Sequence, residues 1–156
     1  MTIRKATYND LQAILDIQKK AFVYEAEIHN DFTIQPLMQT IKDLNEEFEK
    51  KNKSVFVSEE NGKIVGSVRC EVTNNECLVQ KLVVHPDFQN KGIGSALMNV
   101  LEDEFKYCSK FKLFTGKKSE RNIRFYTKRG YQLTSFSGTF HDNVHLVFME
   151  KMNFKN

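Results

Sequence analysis

Apolar positions follow a helical period in some stretches and a two-residue alternation in others, and the switches between them outline the elements. Met1–Arg4 reads as a short strand. Asn9-Asp10 then offers an N-cap to a helix whose stripe is Leu11, Ile14, Leu15, Gln18 and Phe22. Residues Tyr24–Thr33 show no clear period and are expected to form a loop carrying Glu25, Glu27 and Asp31. A second helix is expected from Gln35 to Lys50, with Leu37, Ile41, Leu44 and Phe48 on one face and Lys42, Asp43, Glu46, Glu47 and Glu49 on the other.

Strand patterning follows. Ser54–Ser58 is a short β run, and Asn61-Gly62 marks a tight hairpin turn. In Ile64–Val72 the residues Ile64, Gly66, Val68, Cys70 and Val72 alternate with Val65, Ser67, Arg69 and Glu71. A turn at Thr73–Glu76 leads into Cys77–His85, which completes an antiparallel meander. Beyond Pro86 the period returns to helical over Gly92–Phe105, with Ile93, Ala96, Leu97, Val100 and Leu101 on one face. Phe111–Thr115 is a strand, Asn122–Arg129 a helix ended by Gly130, and Tyr131–Ser137 and Val144–Lys151 are the last two strands. Strand, helix, strand from Cys77 to Thr115 implies a right-handed crossover and a parallel pair. The fold class is therefore α/β with a mixed sheet, antiparallel at its start and parallel at its centre, and ligands bind where strand pairing breaks in this way.

At 156 residues the chain has room for one domain spanning 1–156, with 40% hydrophobic and 28% charged residues. No apolar run reaches the length of a membrane span, and Met1–Tyr8 lacks the apolar core of a signal peptide, so a cytoplasmic protein away from membranes is expected. The net charge of +3 suits a local anion site, not a broad nucleic-acid surface, and Lys110–Arg129 has positive charge without a nucleic-acid motif. Cys70, Cys77 and Cys108 form no C-x-x-C pair and read as buried thiols. His29, His85, His141 and His145 show no metal-ligand spacing, so no metal is expected.

The segment joining the central strand to the clearest helix carries the chemistry. In Gln89-Asn90-Lys91-Gly92-Ile93-Gly94-Ser95 the glycines remove side chains where the backbone turns, so N–H groups converge on an anion at the positive end of the helix. Lys91 adds a mobile charge. A dinucleotide fingerprint would need a third glycine where Leu97 stands. The string Gly116-Lys117-Lys118-Ser119 lacks the upstream glycine of a P-loop.

Leu82-Val83-Val84-His85-Pro86 followed by Gln89–Leu97 resembles the acetyl-CoA motif of the GCN5-related N-acetyltransferases (GNAT), a V-x-P strand end and then Q/R-x-x-G-x-G/A. Downstream, Phe125-Tyr126-Thr127-Lys128-Arg129-Gly130-Tyr131 resembles the family's F/L-Y-x-K-x-G-F/Y signature. The resemblance covers nearly the whole chain and implies the family's acyltransferase fold, about seven strands with four helices.

It also implies a function: transfer of an acetyl group from acetyl-CoA, as cosubstrate, to a primary amine on a small molecule or peptide. Leu82, Val83 and Val84 would pair with the pantetheine arm beside a bulge in their strand, where an N–H would polarise the thioester carbonyl. Gln89, Asn90, Lys91, Gly92, Ile93, Gly94 and Ser95 would hold the pyrophosphate. Tyr126 would be the acid that protonates the departing thiolate. The family commonly has Asn seven residues before this tyrosine; here that position is Ser119, and Asn122 lies one helical turn on, so either is a candidate for the CoA arm. Glu71, His141 and His145 are candidate bases for the acceptor. In this family the region between the first helices walls the acceptor site, so Glu25, Glu27 and Asp31 hint at a cationic substrate. Exposed edges near the C-terminal strands would allow a homodimer. The competing reading is a catalytically silent acyl-CoA-binding sensor or partner module.

Overall fold

The computed structural model describes residues 1–141 and 144–153, with the side chains of 135–145 outside that description. The described residues form seven strands: β1 (Thr2–Lys5), β2 (Lys53–Glu60), β3 (Lys63–Thr73), β4 (Glu76–Val84), β5 (Lys110–Gly116), β6 (Gln132–His141) and β7 (Val144–Met152). Their helices are α1 (Leu11–His29), α2 (Gln35–Met38), α3 (Ile41–Phe48), α4 (Ile93–Glu104) and α5 (Glu120–Lys128). One sheet has the order β1-β2-β3-β4-β5-β7-β6. Every neighbouring pair is antiparallel except β4 and β5, which are parallel. The α/β mixed sheet expected from the alternation is thus present. Asn61 and Gly62, at φ 52° and 78°, form the hairpin turn that Asn-Gly favours.

Helices cover both faces of this sheet, so its central strands are buried on both sides. Phe56 points with Val68, Cys70, Cys77 and Val79 toward Ile93, Leu97, Met98 and Leu101 of α4. Its neighbours Val55 and Val57 point the other way, to Leu11, Ile14 and Leu15 of α1 and Leu44 of α3. The three cysteines are free and buried.

Two helical readings change. The expected loop at Tyr24–Thr33 is mostly helix, because α1 continues to His29 and stops at Asn30 in a left-handed cap (φ 49°). The continuation escapes a periodicity count because Glu25 and His29 put polar groups into a cavity, as described below. The expected helix from Gln35 to Lys50 is two helices. Thr40 is extended and accepts from the Asp43 amide, so it caps α3 and breaks the helix where the stripe alone runs on.

Beneath α1 and α3 lies a charged cluster. Arg69 on β3 is completely buried. Its guanidinium donates to Glu47 (3.0 Å), Gln18 (2.9 Å) and Gln39 (3.2 Å). Glu47 also accepts from Gln39 (2.9 Å) and Lys53 (3.1 Å). Burial opposes the Glu47 charge, yet Arg69, Gln39 and Lys53 hold the carboxyl down to about 2.

A carboxyl whose pKa falls on folding contributes stability that is present above its unfolded value and lost as pH falls toward its folded value. Urea denaturation should therefore show the wild type losing stability as pH drops from 4.5 toward about 2. Glu47→Gln should show a flatter curve over that window. At neutral pH the variant should be about 3 kcal/mol less stable, since it leaves a buried guanidinium uncompensated. Parallel curves for the two proteins would contradict this account.

Candidate active site

The parallel ladder between β4 and β5 is short. It runs from Glu76↔Lys110 to Leu78↔Lys112 and then stops. Lys81 interrupts β4 in the left-handed region (φ 52°), and the register with β3 shifts between Ser67 and Arg69. That is a β-bulge, and an unusual conformation for lysine. Beyond it Leu82–Val84 do not pair with β5, and an opening lies between the two strands.

Two cavities occupy this opening. The first, about 330 Å³, runs along Leu82–Val84 to the turn Gln89–Ser95. The second, about 530 Å³, lies between β4, β5 and the end of α1. Phe22, Glu25, Leu82, Asn122 and Tyr126 line both, so the cavities meet at these residues.

The first cavity ends in a cradle of backbone. Asn90 and Gly92 are left-handed at φ 63° and 82°, which turns their amides toward the start of α4. The first internal bond of α4 runs from the Ala96 amide to the Gly92 carbonyl, so the amides before it are free for a ligand. Among the described residues, no heavy atom beyond its own chain neighbours lies within 4 Å of where a side chain at 92 would begin. Gln89 fastens the turn to the strand end by donating to the Val84 carbonyl (3.0 Å). Lys91 leans over the Phe88 ring (5.2 Å) and is outside the cavity lining.

At the junction, Tyr126 is buried and packs edge-on against Phe125 (5.1 Å) and Tyr131 (5.5 Å). Burial pushes its phenol pKa well above the ordinary value, so the hydroxyl keeps its proton at neutral pH. Of the two candidates at the start of α5, Asn122 lines both cavities and donates to Glu25 (3.1 Å). Ser119 is buried and donates its hydroxyl to Glu25.

Several acceptor-side candidates are not brought together. Glu71 lies outside both linings, bonded to Asn52 (3.1 Å) and 3.7 Å from Lys53. Among the loop acids only Glu25 reaches a cavity; Glu27 is exposed and Asp31 accepts from Thr33 (2.8 Å). His141 and His145 lie outside the described side chains.

In their place stand residues that the patterning did not single out. His29 lines the second cavity, and its Nδ1 is 2.9 Å from the Glu25 carbonyl. A carbonyl only accepts, so Nδ1 donates. Nε2 is buried with no partner among the described residues. The ring leaves no room for a side chain at Gly116, where a Cβ would fall 2.3 Å from it. The i, i+4 spacing of Glu25 and His29 is a helical signal, but it is visible only once the stretch is known to be helix. Glu47, Lys53 and Lys81 also line this cavity. Among the described residues, no group of three His, Cys, Asp or Glu side chains is placed to hold a metal ion.

The chain is similar to known proteins in sequence and in fold. The profile of the acetyltransferase (GNAT) domain matches residues 51–133. The L-amino acid N-acyltransferase MnaT of Escherichia coli is 30% identical over 145 residues, covering 86% of this chain and 81% of that protein. The UPF0157 protein YqkA of Bacillus subtilis is 31% identical over 120 residues, and the match spans 76% of this chain but only 34% of YqkA. Among solved structures, the PaiA N-acetyltransferase of Thermoplasma acidophilum in complex with coenzyme A superposes with a TM-score of 0.82 at 15% identity. That match covers 97% of this chain and 98% of the other, and it shows a shared fold.

Gly94 gives a direct test of the cradle. A Cβ there would meet Phe125 at 3.6 Å and Leu82 at 3.9 Å, which are ordinary contacts, so Gly94→Asp should fold. Its carboxylate would face the space a phosphate would take. Coenzyme A should raise the melting temperature of the wild type and not that of Gly94→Asp. An equal shift in both would remove the cradle.

Proposed function

Because this chain belongs to the GNAT family of acetyltransferases, we propose that it moves the acetyl group of acetyl-CoA onto a small primary amine. The observation that carries this reading is the meeting of two unlike cavities at Leu82, Asn122 and Tyr126. One cavity offers backbone amides to a polyphosphate; the other offers charged side chains to a small polar molecule. The name of MnaT points to amines of amino-acid size.

The residues present fit an acyl-CoA. The left-handed turn at Asn90 and Gly92 leaves amides free for a pyrophosphate, and the open space above Gly92 accommodates it. Leu82–Val84 have lost their β5 partner, so their backbone is free to pair with the pantetheine arm. When bound, the cosubstrate supplies an acyl carbon open to attack and a thiolate leaving group.

The chain's own residues then divide the work. Backbone N–H groups at the Lys81–Leu82 bulge, out of register with β3, are available to polarise the acyl oxygen. Glu25 lines both cavities and is fixed by Ser119 and Asn122, so it holds the acceptor nitrogen at the junction. An amine must shed a proton to attack, and Glu25 and His29, which line the second cavity, are the groups beside it that can take that proton. Tyr126 keeps its hydroxyl proton because of burial and delivers it to the thiolate sulfur.

Incubation with acetyl-CoA and a panel of amines tests the reading, with free thiol and acetylated product both followed. Formation of both is expected; coenzyme A binding without product from any amine would favour the silent module. Within an active enzyme, Tyr126→Phe should lower kcat by about 10²–10⁴-fold with little change in coenzyme A affinity. A loss of affinity instead, at unchanged kcat, would make the tyrosine a packing residue.

A further inference from the structure

The charges lining the second cavity are unevenly matched. At one end Lys53 and Glu47 line the wall, with Arg69 and Glu71 beside them just outside the lining. Glu47 takes Arg69 at 3.0 Å and Lys53 at 3.1 Å, and Glu71 lies 3.7 Å from Lys53. Two cations are balanced by two carboxylates. Lys81 lines the same end and adds a third cation. Among the described residues it makes no hydrogen bond or ion pair. At the other end stands Glu25, whose described partners are the neutral donors Ser119 and Asn122, with His29 Nδ1 3.9 Å away. No lysine or arginine among the described residues pairs with it. The cavity therefore presents one unmatched cation and one unmatched anion.

We propose that the acceptor is an amine that also carries a carboxylate, an amino acid or a close relative, with its carboxylate on Lys81 and its ammonium on Glu25. The assignment rests on the reading of the second cavity as the acceptor site. A zwitterion is the class of ligand that neutralises both unmatched groups at once. A simple alkylamine would satisfy Glu25 and leave Lys81 facing Arg69 and Lys53. A polyamine would add positive charge to an end that already has an excess.

The cost of keeping Lys81 there is visible. Burial, and then the Arg69 charge, push its ammonium pKa down to about 8, against a smaller upward pull from Glu47. A carboxylate beside it would oppose both effects. The backbone also carries a cost, since Lys81 is held in the left-handed region at the bulge (φ 52°). Conserving that geometry while changing only the charge gives a clean variant: Lys81→Met keeps a long unbranched side chain at the same φ.

The test compares standard L-amino acids with their decarboxylated amines and their carboxamides, using acetyl-CoA and following product. In the wild type, kcat/KM for the favoured amino acid should exceed that for its decarboxylated amine by about tenfold or more, the scale of one hydrogen bond to a charged group. Lys81→Met should abolish this preference by raising KM for the amino acid, so that the ratio of kcat/KM between amino acid and plain amine falls to about one. Lys81→Arg should retain it. Equal wild-type use of amino acid and amine would overturn the proposal and leave the acetyltransferase reading intact. So would a preference that survives Lys81→Met, or a kcat loss in that variant shared by both substrates, which would make Lys81 a proton carrier. If no amine is acetylated, the acetyltransferase reading falls, and calorimetry on coenzyme A-loaded protein decides the site. Amino-acid binding that Lys81→Met removes would sustain the carboxylate site; absence of binding would end it.

Discussion

A parallel strand pair that holds for three residue pairs and then opens is the constraint on which the rest of the molecule depends. Had β4 and β5 stayed together to their ends, the backbone of Leu82–Val84 would be spent on the ladder and no cleft would exist between them. The break is enforced on the β4 side by a left-handed residue, Lys81, which shifts the register with β3. On the other side β5 remains paired with β7 over its whole length, from Lys110 to Gly116, so that wall is held in place while its edge beyond Lys112 faces the opening. Sheet disorder at a single place thus yields both a docking edge and a cavity.

Around that break the two helical layers take different tasks. The α4–α5 side is dense and apolar, and it presses Tyr126 and Phe125 against the core so that the phenol sits in a fixed place. The α1–α3 side is polar where it nears the cleft. There Arg69, Gln18, Gln39 and Glu47 satisfy one another out of water, which ties three elements to β3 without an apolar contact among these side chains. Glu47 of this cluster also lines the second cavity.

How much of this is legible in the sequence varies by region, for physical reasons. The strand alternation, the Asn-Gly turn and the stripe of α4 are local patterns that burial on both faces does not erase, and each appears where the periodicity puts it. The cradle is also local, since glycines and a helix start within one turn are enough to write it down. The second half of α1 is not, because Glu25 and His29 turn polar groups toward a cavity and so interrupt the apolar stripe of a helix that does not stop. The bulge at Lys81 leaves no mark in an alternation count. Glu71 shares a strand face with Arg69 on paper, yet Asn52 and Lys53 hold it at the far end of the charged cluster, outside the opening. Proximity across the sheet, unlike spacing along it, needs the register.

The cradle is made of main-chain amides, and this sets how the two halves of the opening tolerate change. An amide donor is supplied by every residue except proline, so most side chains in Gln89–Ser95 can vary while the donors stay in place; the exceptions are positions where a new side chain would enter the space itself. The opposite cavity has no such redundancy. Its polarity resides in individual side-chain groups such as Glu25 and Lys81, and a single exchange at either would invert or erase one pole. On the proposed assignment, drift in the first half would leave the donor the same, whereas drift in the second half would redirect the chemistry to another acceptor. A lineage with the proposed division of cavities could then diversify its products while its energy-rich partner stays constant.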